Sequence, residues 1–271
     1  MRLIPTRPIV YINDVRNMEF DFKTDLVVTS PPYWNIKDYG QDNQIGYGQL
    51  FSDYINDLSD VFSKCSKSLN PGCRMCINIG DQYLSTEKYK RFHTLSIQSY
   101  LITKIVKMGM DYMGSIVWYK VANCTSTGGA ASNHLGSGLY PKNGIVSYNY
   151  EWIILFKKHG KSKRPSEENK ERSRLTNRQR NDWFKGIWQD IPGTSQRKGH
   201  PAVFPIQIPY RLIRMFSFCG EMVLDPFVGS GTTLLAAERC GRYSIGVEQN
   251  PDFISIIQEK VPSVDIRYER Q

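Results

Sequence analysis

The sequence contains no run of 18 apolar residues, so it offers no membrane-spanning helix and no membrane partner is expected. Its first ten residues include prolines and lack the apolar stretch of a secretion signal. Cysteine is sparse. The six present are scattered without the spacing of a disulfide framework, which points to a reducing, cytoplasmic setting. Cys73 and Cys76 form a lone C-x-x-C within a segment that reads as a strand, where positions three apart face opposite sides. With no second pair nearby, no zinc site is expected. Internal repeats and low-complexity tracts are absent. Negative charge is also short, with 26 acidic against 35 basic residues and a net charge of +9. A basic balance suits a polyanionic partner without demonstrating one.

What is present is a chain of 271 residues, 40% apolar and rich in aromatics (12 Phe, 5 Trp, 16 Tyr). That length can bury a large core without metals or crosslinks. Short β-rich apolar runs alternate with helical patterns, which predicts an α/β fold with a mostly parallel sheet between helices. Strands are expected at 9–12, 26–29, 74–79, 115–119, 152–156, 222–224 and 243–247. Helices are expected at 51–68, 94–108, 206–218, 232–240 and 251–260, the last with Pro251 in its first turn. The whole chain, 1–271, reads as one domain. Two stretches break the rhythm. Residues 124–144 hold five glycines among Ser, Thr and Asn and read as a long loop. Residues 157–180 hold ten Lys or Arg against three Glu, so most of the net charge is concentrated there. That segment reads either as a solvated surface excursion or, with Trp183, Phe184 and Trp188 beside it, as a contact for a phosphate backbone.

Two motifs carry chemistry. In the first, an apolar strand runs into Ser30-Pro31-Pro32-Tyr33-Trp34. Two prolines end the strand and stiffen the backbone. Carbonyls near Ser30 and Pro31 would then stand unpaired beside a hydroxyl and an aromatic face. Such a cluster suits a planar group bearing an NH₂, although Pro-Pro-Tyr alone also fits an ordinary strand end. In the second, a strand ends at Asp225 and leads through Pro-Phe-Val-Gly-Ser-Gly to a helix starting near Thr232. Gly229 and Gly231 would let a ligand approach the backbone at a helix N-terminus. The Walker pattern requires Lys where Thr232 follows Gly231, and Leu234 stands at the third glycine of G-x-G-x-x-G. The ligand is therefore expected to be neither a nucleoside triphosphate nor NAD. The next strand ends at Glu248, placed to accept ribose hydroxyls.

Together these stretches resemble the S-adenosylmethionine-dependent amino-methyltransferases of DNA, over nearly the whole chain. Residues 225–233 resemble that family's cofactor loop, 29–34 its catalytic loop, and 199–205 its segment beside the cofactor's methionine portion. The catalytic loop precedes the cofactor loop, the order of the family's β group. This implies a circularly permuted, Rossmann-like sheet of seven strands, mostly parallel with an antiparallel strand. The resemblance implies that Asp225, Phe227, Gly229, Gly231 and Thr232 line S-adenosylmethionine and that Glu248 takes its ribose. It places Asp14 near the adenine, and Phe204 and Pro205 near the methionine portion. His200 would be structural. Ser30 and the Pro31 carbonyl would accept the hydrogens of a base amine, while Pro32 holds the loop and Tyr33, with Trp34, stacks on a base flipped out of the duplex. Direct attack on a sulfonium methyl needs no Lewis acid, so no metal is implied.

The resemblance separates subclasses. Carbon-5 methylation of cytosine uses a Pro-Cys pair, which is absent. Ser before Pro-Pro favours cytosine N4, whereas Asp at that position is usual for adenine N6, which stays open. RNA or protein-amide methylation and a non-catalytic DNA-binding module are further alternatives. Target recognition is expected within 121–189, from the loop 121–148 and the basic segment 157–185. There Arg172, Arg174, Arg178 and Arg180 would contact double-stranded DNA, sharing one helix face. A cognate restriction endonuclease is an expected companion.

Overall fold

The structure is a computed structural model that describes residues 7–120, 148–193 and 205–268. Eleven strands and eight α-helices follow in chain order. They are β1 (Ile9–Ile12), β2 (Thr24–Thr29), α1 (Phe51–Ser68), β3 (Leu69–Ile79), β4 (Gln82–Leu84), α2 (Thr86–Tyr89), β5 (His93–Leu95), α3 (Ile97–Lys107), β6 (Met110–Tyr119), β7 (Tyr150–Lys158), α4 (Glu167–Arg172), α5 (Asn177–Trp183), β8 (Ile187–Trp188), α6 (Gln207–Phe216), β9 (Met222–Asp225), α7 (Thr232–Arg239), β10 (Tyr243–Glu248), α8 (Ile254–Lys260) and β11 (Asp265–Tyr268).

Nine strands form one sheet in the order β11-β1-β10-β9-β2-β3-β7-β6-β8. All seven strands expected from the sequence lie in it. The two additions are its edges, β11 and the two-residue β8, too short to show a strand pattern. Six of the neighbouring pairs are parallel, and β7 is antiparallel to both β3 and β6. The interior strands read as continuous apolar runs because both faces are covered. Met75 to Ile79 of β3 is buried throughout.

The helices sort by face. On α1, Tyr54, Ile55, Leu58, Val61, Phe62 and Cys65 recur at three- and four-residue steps, so one stripe is buried. With α3 it covers Val27, Met75, Ile77, Ile154 and Leu224. Helices α6 and α7 cover the other face, over Leu26, Val28, Cys76, Ile153 and Val223. Helix α8 extends that layer through Phe253 and Ile257 against Val10 and Leu234. The chain therefore leaves β2 toward one face and β9 toward the other. These strands are neighbours, with Leu26 beside Val223 and Val27 beside Leu224. Their carboxyl ends make the crevice at which open α/β sheets receive ligands. No helix among the described residues is long and apolar enough to cross a membrane.

Candidate active site

The two sequence motifs meet at this crevice. Thr29 closes β2 and donates from Oγ1 to Oδ1 of Asp225, the last residue of β9, at 2.6 Å. Asp225 is buried, and burial pushes its carboxyl above the ordinary range. The same Oδ1 accepts from the Phe227 backbone at 3.0 Å, which starts the turn. Gly229 and Gly231 both have positive φ, +52° and +80°, conformations that glycine adopts without strain. Among the described residues, and apart from its chain neighbours, no atom lies within 4 Å of where a Cβ on Gly229 would stand, so the backbone there has room for a ligand. Gly231 caps α7 in the left-handed region.

Glu248 faces this turn from the end of β10. One carboxylate oxygen accepts from Gly229 N at 2.7 Å and the other from Asn250 N at 2.9 Å. A carboxylate has about four acceptor positions, and with the amides of Gly229, Asn250 and Gln249 on it some acceptor capacity remains for a hydroxyl donor. Burial raises its pKa to about 7, and Asp225 adds to that rise. A cleft of about 310 Å³ opens nearby, lined by Lys37, Tyr39, Asn250 and Phe253 among others. Asp14 stands after β1 beside the end of β10, where Asn13 N donates to Glu248 O at 3.0 Å. Its carboxylate is already committed to Arg16, which also pairs with Asp57.

The catalytic-loop candidates divide. The Pro32 carbonyl accepts from the Tyr54 hydroxyl of α1 at 2.9 Å, which fixes the loop from beneath. Among the described residues no donor reaches the Pro31 carbonyl. Tyr33 is half-buried, and its hydroxyl accepts from Asn78 Nδ2 at 3.1 Å. Burial, then the Glu151 carboxylate, hold its phenol well above the ordinary value, while Ser30 pulls the other way. Trp34 departs from expectation. Its ring is 5% exposed, packs on Phe51 and Tyr89, and donates from Nε1 to Gln49 O at 2.9 Å. It anchors the loop and presents no free face for stacking.

Lys260 was not legible as a site residue. From α8 it donates to Ser230 Oγ at 2.6 Å and Thr232 Oγ1 at 3.1 Å, so the Thr232 hydroxyl is engaged by a partly buried amine. Tyr54, Asn78 and Glu151 were missed as well. Asn78 did leave a signal, as a polar residue within the buried stretch Met75 to Ile79 of β3. Pro205 lies just before α6, where its carbonyl accepts from Ile208 N. Phe204, His200 and nearly all of the loop 121–148 lie outside the described residues. Among the described residues, no three His, Cys, Asp or Glu are grouped to hold a metal ion.

The arginines do not share one helix face. Arg172 ends α4 and Arg174 follows it, whereas Arg178 and Arg180 lie on α5. A capping box, Thr176 with Gln179, starts the second helix and separates the pairs. Arg172 faces Glu168 and Arg174 faces Glu171, at 3.6 and 2.6 Å. Ser173 between them accepts from Cys219 N, and Arg174 O accepts from Arg214. Cys219 precedes β9, so this pair sits at the amino edge of the sheet, opposite the crevice. Arg178 is almost fully exposed, with a loose ion pair to Asp182 at 3.8 Å.

The comparisons agree with this geometry. A family model described as DNA methylase matches residues 24–259. The type II methyltransferase M.MthZI of Methanothermobacter thermautotrophicus is 32% identical over 89% of this chain and 72% of its own. M.MjaI of Methanocaldococcus jannaschii, also called a type II methyltransferase, is 32% identical over 95% and 92%. Among solved structures, a Thermus thermophilus protein assigned as a DNA modification methylase, complexed with S-adenosyl-L-methionine, superposes with a TM-score of 0.76. It is 30% identical over 97% of this chain and 98% of its own. With its strand-end loops joined at the crevice and the match spanning nearly the whole sheet, the chain belongs to the N6/N4 family of DNA methylases.

Proposed function

We propose that this protein transfers a methyl group from S-adenosylmethionine to the N4 amine of cytosine in double-stranded DNA, with the target base flipped out of the helix. The observation that carries the reading is the Thr29–Asp225 hydrogen bond, which sets an amine-accepting loop beside a nucleoside-accepting turn. S-adenosylmethionine supplies a methyl group activated by its sulfonium. The residues fit that cofactor: Glu248 keeps acceptor capacity for the ribose, and the open backbone at Gly229 admits a ligand. The cleft lined by Tyr39 and Asn250 suits the adenine, with Asp14 shaping the neighbouring turn while paired to Arg16. Phe227, Gly231 and Thr232 would frame the rest, with Phe204 and Pro205 on the methionine side.

The base amine is a weak nucleophile because its lone pair is delocalised into the ring. Ser30 Oγ and the Pro31 carbonyl would accept its two hydrogens and favour a more pyramidal nitrogen. Tyr33, held by its hydroxyl, would set the plane of the base. Orientation rather than covalent catalysis then supplies much of the acceleration. The single domain, 1–271, would hold the whole machinery. Of the four arginines, Arg178 and Arg180 on α5 are exposed and would be available to phosphates, whereas Arg172 and Arg174 face nearby glutamates. A restriction endonuclease acting on the same site suits the type II naming of the relatives.

Nucleoside mass spectrometry of unmethylated DNA incubated with protein and cofactor tests this reading. N4-methylcytosine is the expected product. N6-methyladenine would keep the machinery but remove the inference from Ser30, and no methylated base would overturn the DNA reading.

A further inference from the structure

Three side chains on the α6 face and one from the loop after β2 meet at the carboxyl edge of the sheet. Lys120 follows β6, Glu151 is the second residue of β7, Asn78 lies near the end of β3, and Tyr33 belongs to the loop after β2. The antiparallel course of β7 brings its first residues to this edge, with Glu151 opposite Trp118 and Trp152 opposite Ile79. Glu151 is only 6% exposed. Lys120 ion-pairs with its Oε1 and rests over the Trp118 ring at 5.2 Å. Its Oε2 accepts from Asn78 Nδ2 at 2.6 Å, and the same NH₂ donates to the Tyr33 hydroxyl at 3.1 Å. Among the described residues, Asn78 Oδ1 is buried without a partner.

A buried amide with an orphaned carbonyl calls for an explanation. Turning the amide over would set its oxygen against the Glu151 carboxylate, so the charge on Glu151 fixes which way Asn78 points. The amide in turn holds the Tyr33 hydroxyl, which Glu151 and Ser30 also engage directly. Gly80 borders this space, and a Cβ there would touch both Tyr33 and Glu151 at 3.4 Å.

We propose that Glu151 is a positioning residue for methyl transfer, orienting the Tyr33 ring through the Asn78 amide. This rests on the methyltransferase reading above. Glu151 touches neither base nor cofactor in this scheme. Its effect therefore falls on kcat and leaves cofactor binding alone.

The test uses the full chain. Glu151→Gln keeps the shape and removes the charge. Single-turnover methyl transfer should slow by about tenfold to a hundredfold, the penalty of a misplaced group. The cofactor dissociation constant should change by less than about twofold, because Glu248 and the turn at Gly229 are untouched. Tyr33→Phe should slow the step similarly, and adding Glu151→Gln to it should add little. A fully multiplicative double variant, an unchanged rate, or parallel loss of cofactor binding would each overturn the proposal. A probe independent of activity separates this from the reading it rests on. With 3-fluorotyrosine at position 33, Glu151→Gln should shift and broaden the ¹⁹F line of the free protein, and an unmoved line would overturn the coupling whatever the substrate proves to be.

Discussion

The crevice and the basic segment after β7 show how differently two conspicuous sequence features behave once folded. At the crevice, residues about 200 positions apart converge and their polar atoms engage across the motifs. In the basic segment, the charges that form ion pairs do so with local partners: Lys170 with Glu167, Arg172 with Glu168, Arg174 with Glu171, Lys185 with Asp182. These are exposed pairs three or four residues apart, which contribute little and are screened by salt. Lys158, at the start of the segment, donates to the Ser66 and Leu69 carbonyls at the end of α1. Charge density marked a region, whereas motif chemistry marked a site.

The largest effect that would sharpen this contrast lies at Ser30. Ser30→Ala should lower kcat by about a hundredfold or more, as loss of one preorganised hydrogen-bonding group does, while cofactor affinity holds. Single-turnover kinetics against calorimetric cofactor binding separates the two. A wild-type rate would return the loop to an ordinary strand end.

Next comes Glu248. Glu248→Gln should weaken cofactor binding by about 2 kcal/mol, the worth of hydrogen bonds to a charged group. A pH series tests the same residue. Its folded pKa is raised to about 7 from the ordinary 4.5, so ionising it opposes folding, and its contribution to stability is lost as pH rises through 7. Cofactor binding should run the other way, because only the ionised form would accept from both ribose hydroxyls. Affinity should therefore tighten as pH rises from 6 to 8, by about tenfold at most for each unit below the pKa. A flat profile would remove Glu248 from the ribose.

Tyr54→Phe is a third, smaller test. It leaves the Pro32 carbonyl without its donor and should destabilise the protein by about 1–3 kcal/mol, seen as a lower thermal midpoint. The smallest effect separates the arginine pairs. Replacing Arg178 and Arg180 with Gln should reduce the salt dependence of DNA binding by about one contact each. The same change at Arg172 and Arg174 should leave it nearly unaltered. Equal effects from both pairs would erase the distinction between them.

Much of this was legible because it was local. Pro-Pro after an apolar strand and glycines before a helix are chain-local devices. The apolar stripe of α1 gave both its ends, 51 and 68, without any tertiary information. What was hidden depended on partners. Trp34 reads as an exposed aromatic beside a catalytic loop until Phe51 and Tyr89 close over it. Lys260 is an ordinary helix-terminal lysine until α8 packs beside the glycine turn after β9. Glu151 and Asn78 are 73 residues apart and meet only because β7 runs against its neighbours. The strand β11 carries only two half-buried and two exposed residues, too few to show a pattern.

The pairing of β2 with β9 also governs how the chain is made. The middle of the sheet joins a strand emerging from the ribosome early to one emerging about 200 residues later. Until Met222 to Asp225 arrive, the inner edge of β2 has its apolar residues and backbone groups uncovered. Long-range closure of this kind is slow and leaves a sticky intermediate. The nascent N-terminal half is thus a natural client for chaperones, and a chain truncated before β9 should aggregate rather than persist as a free domain.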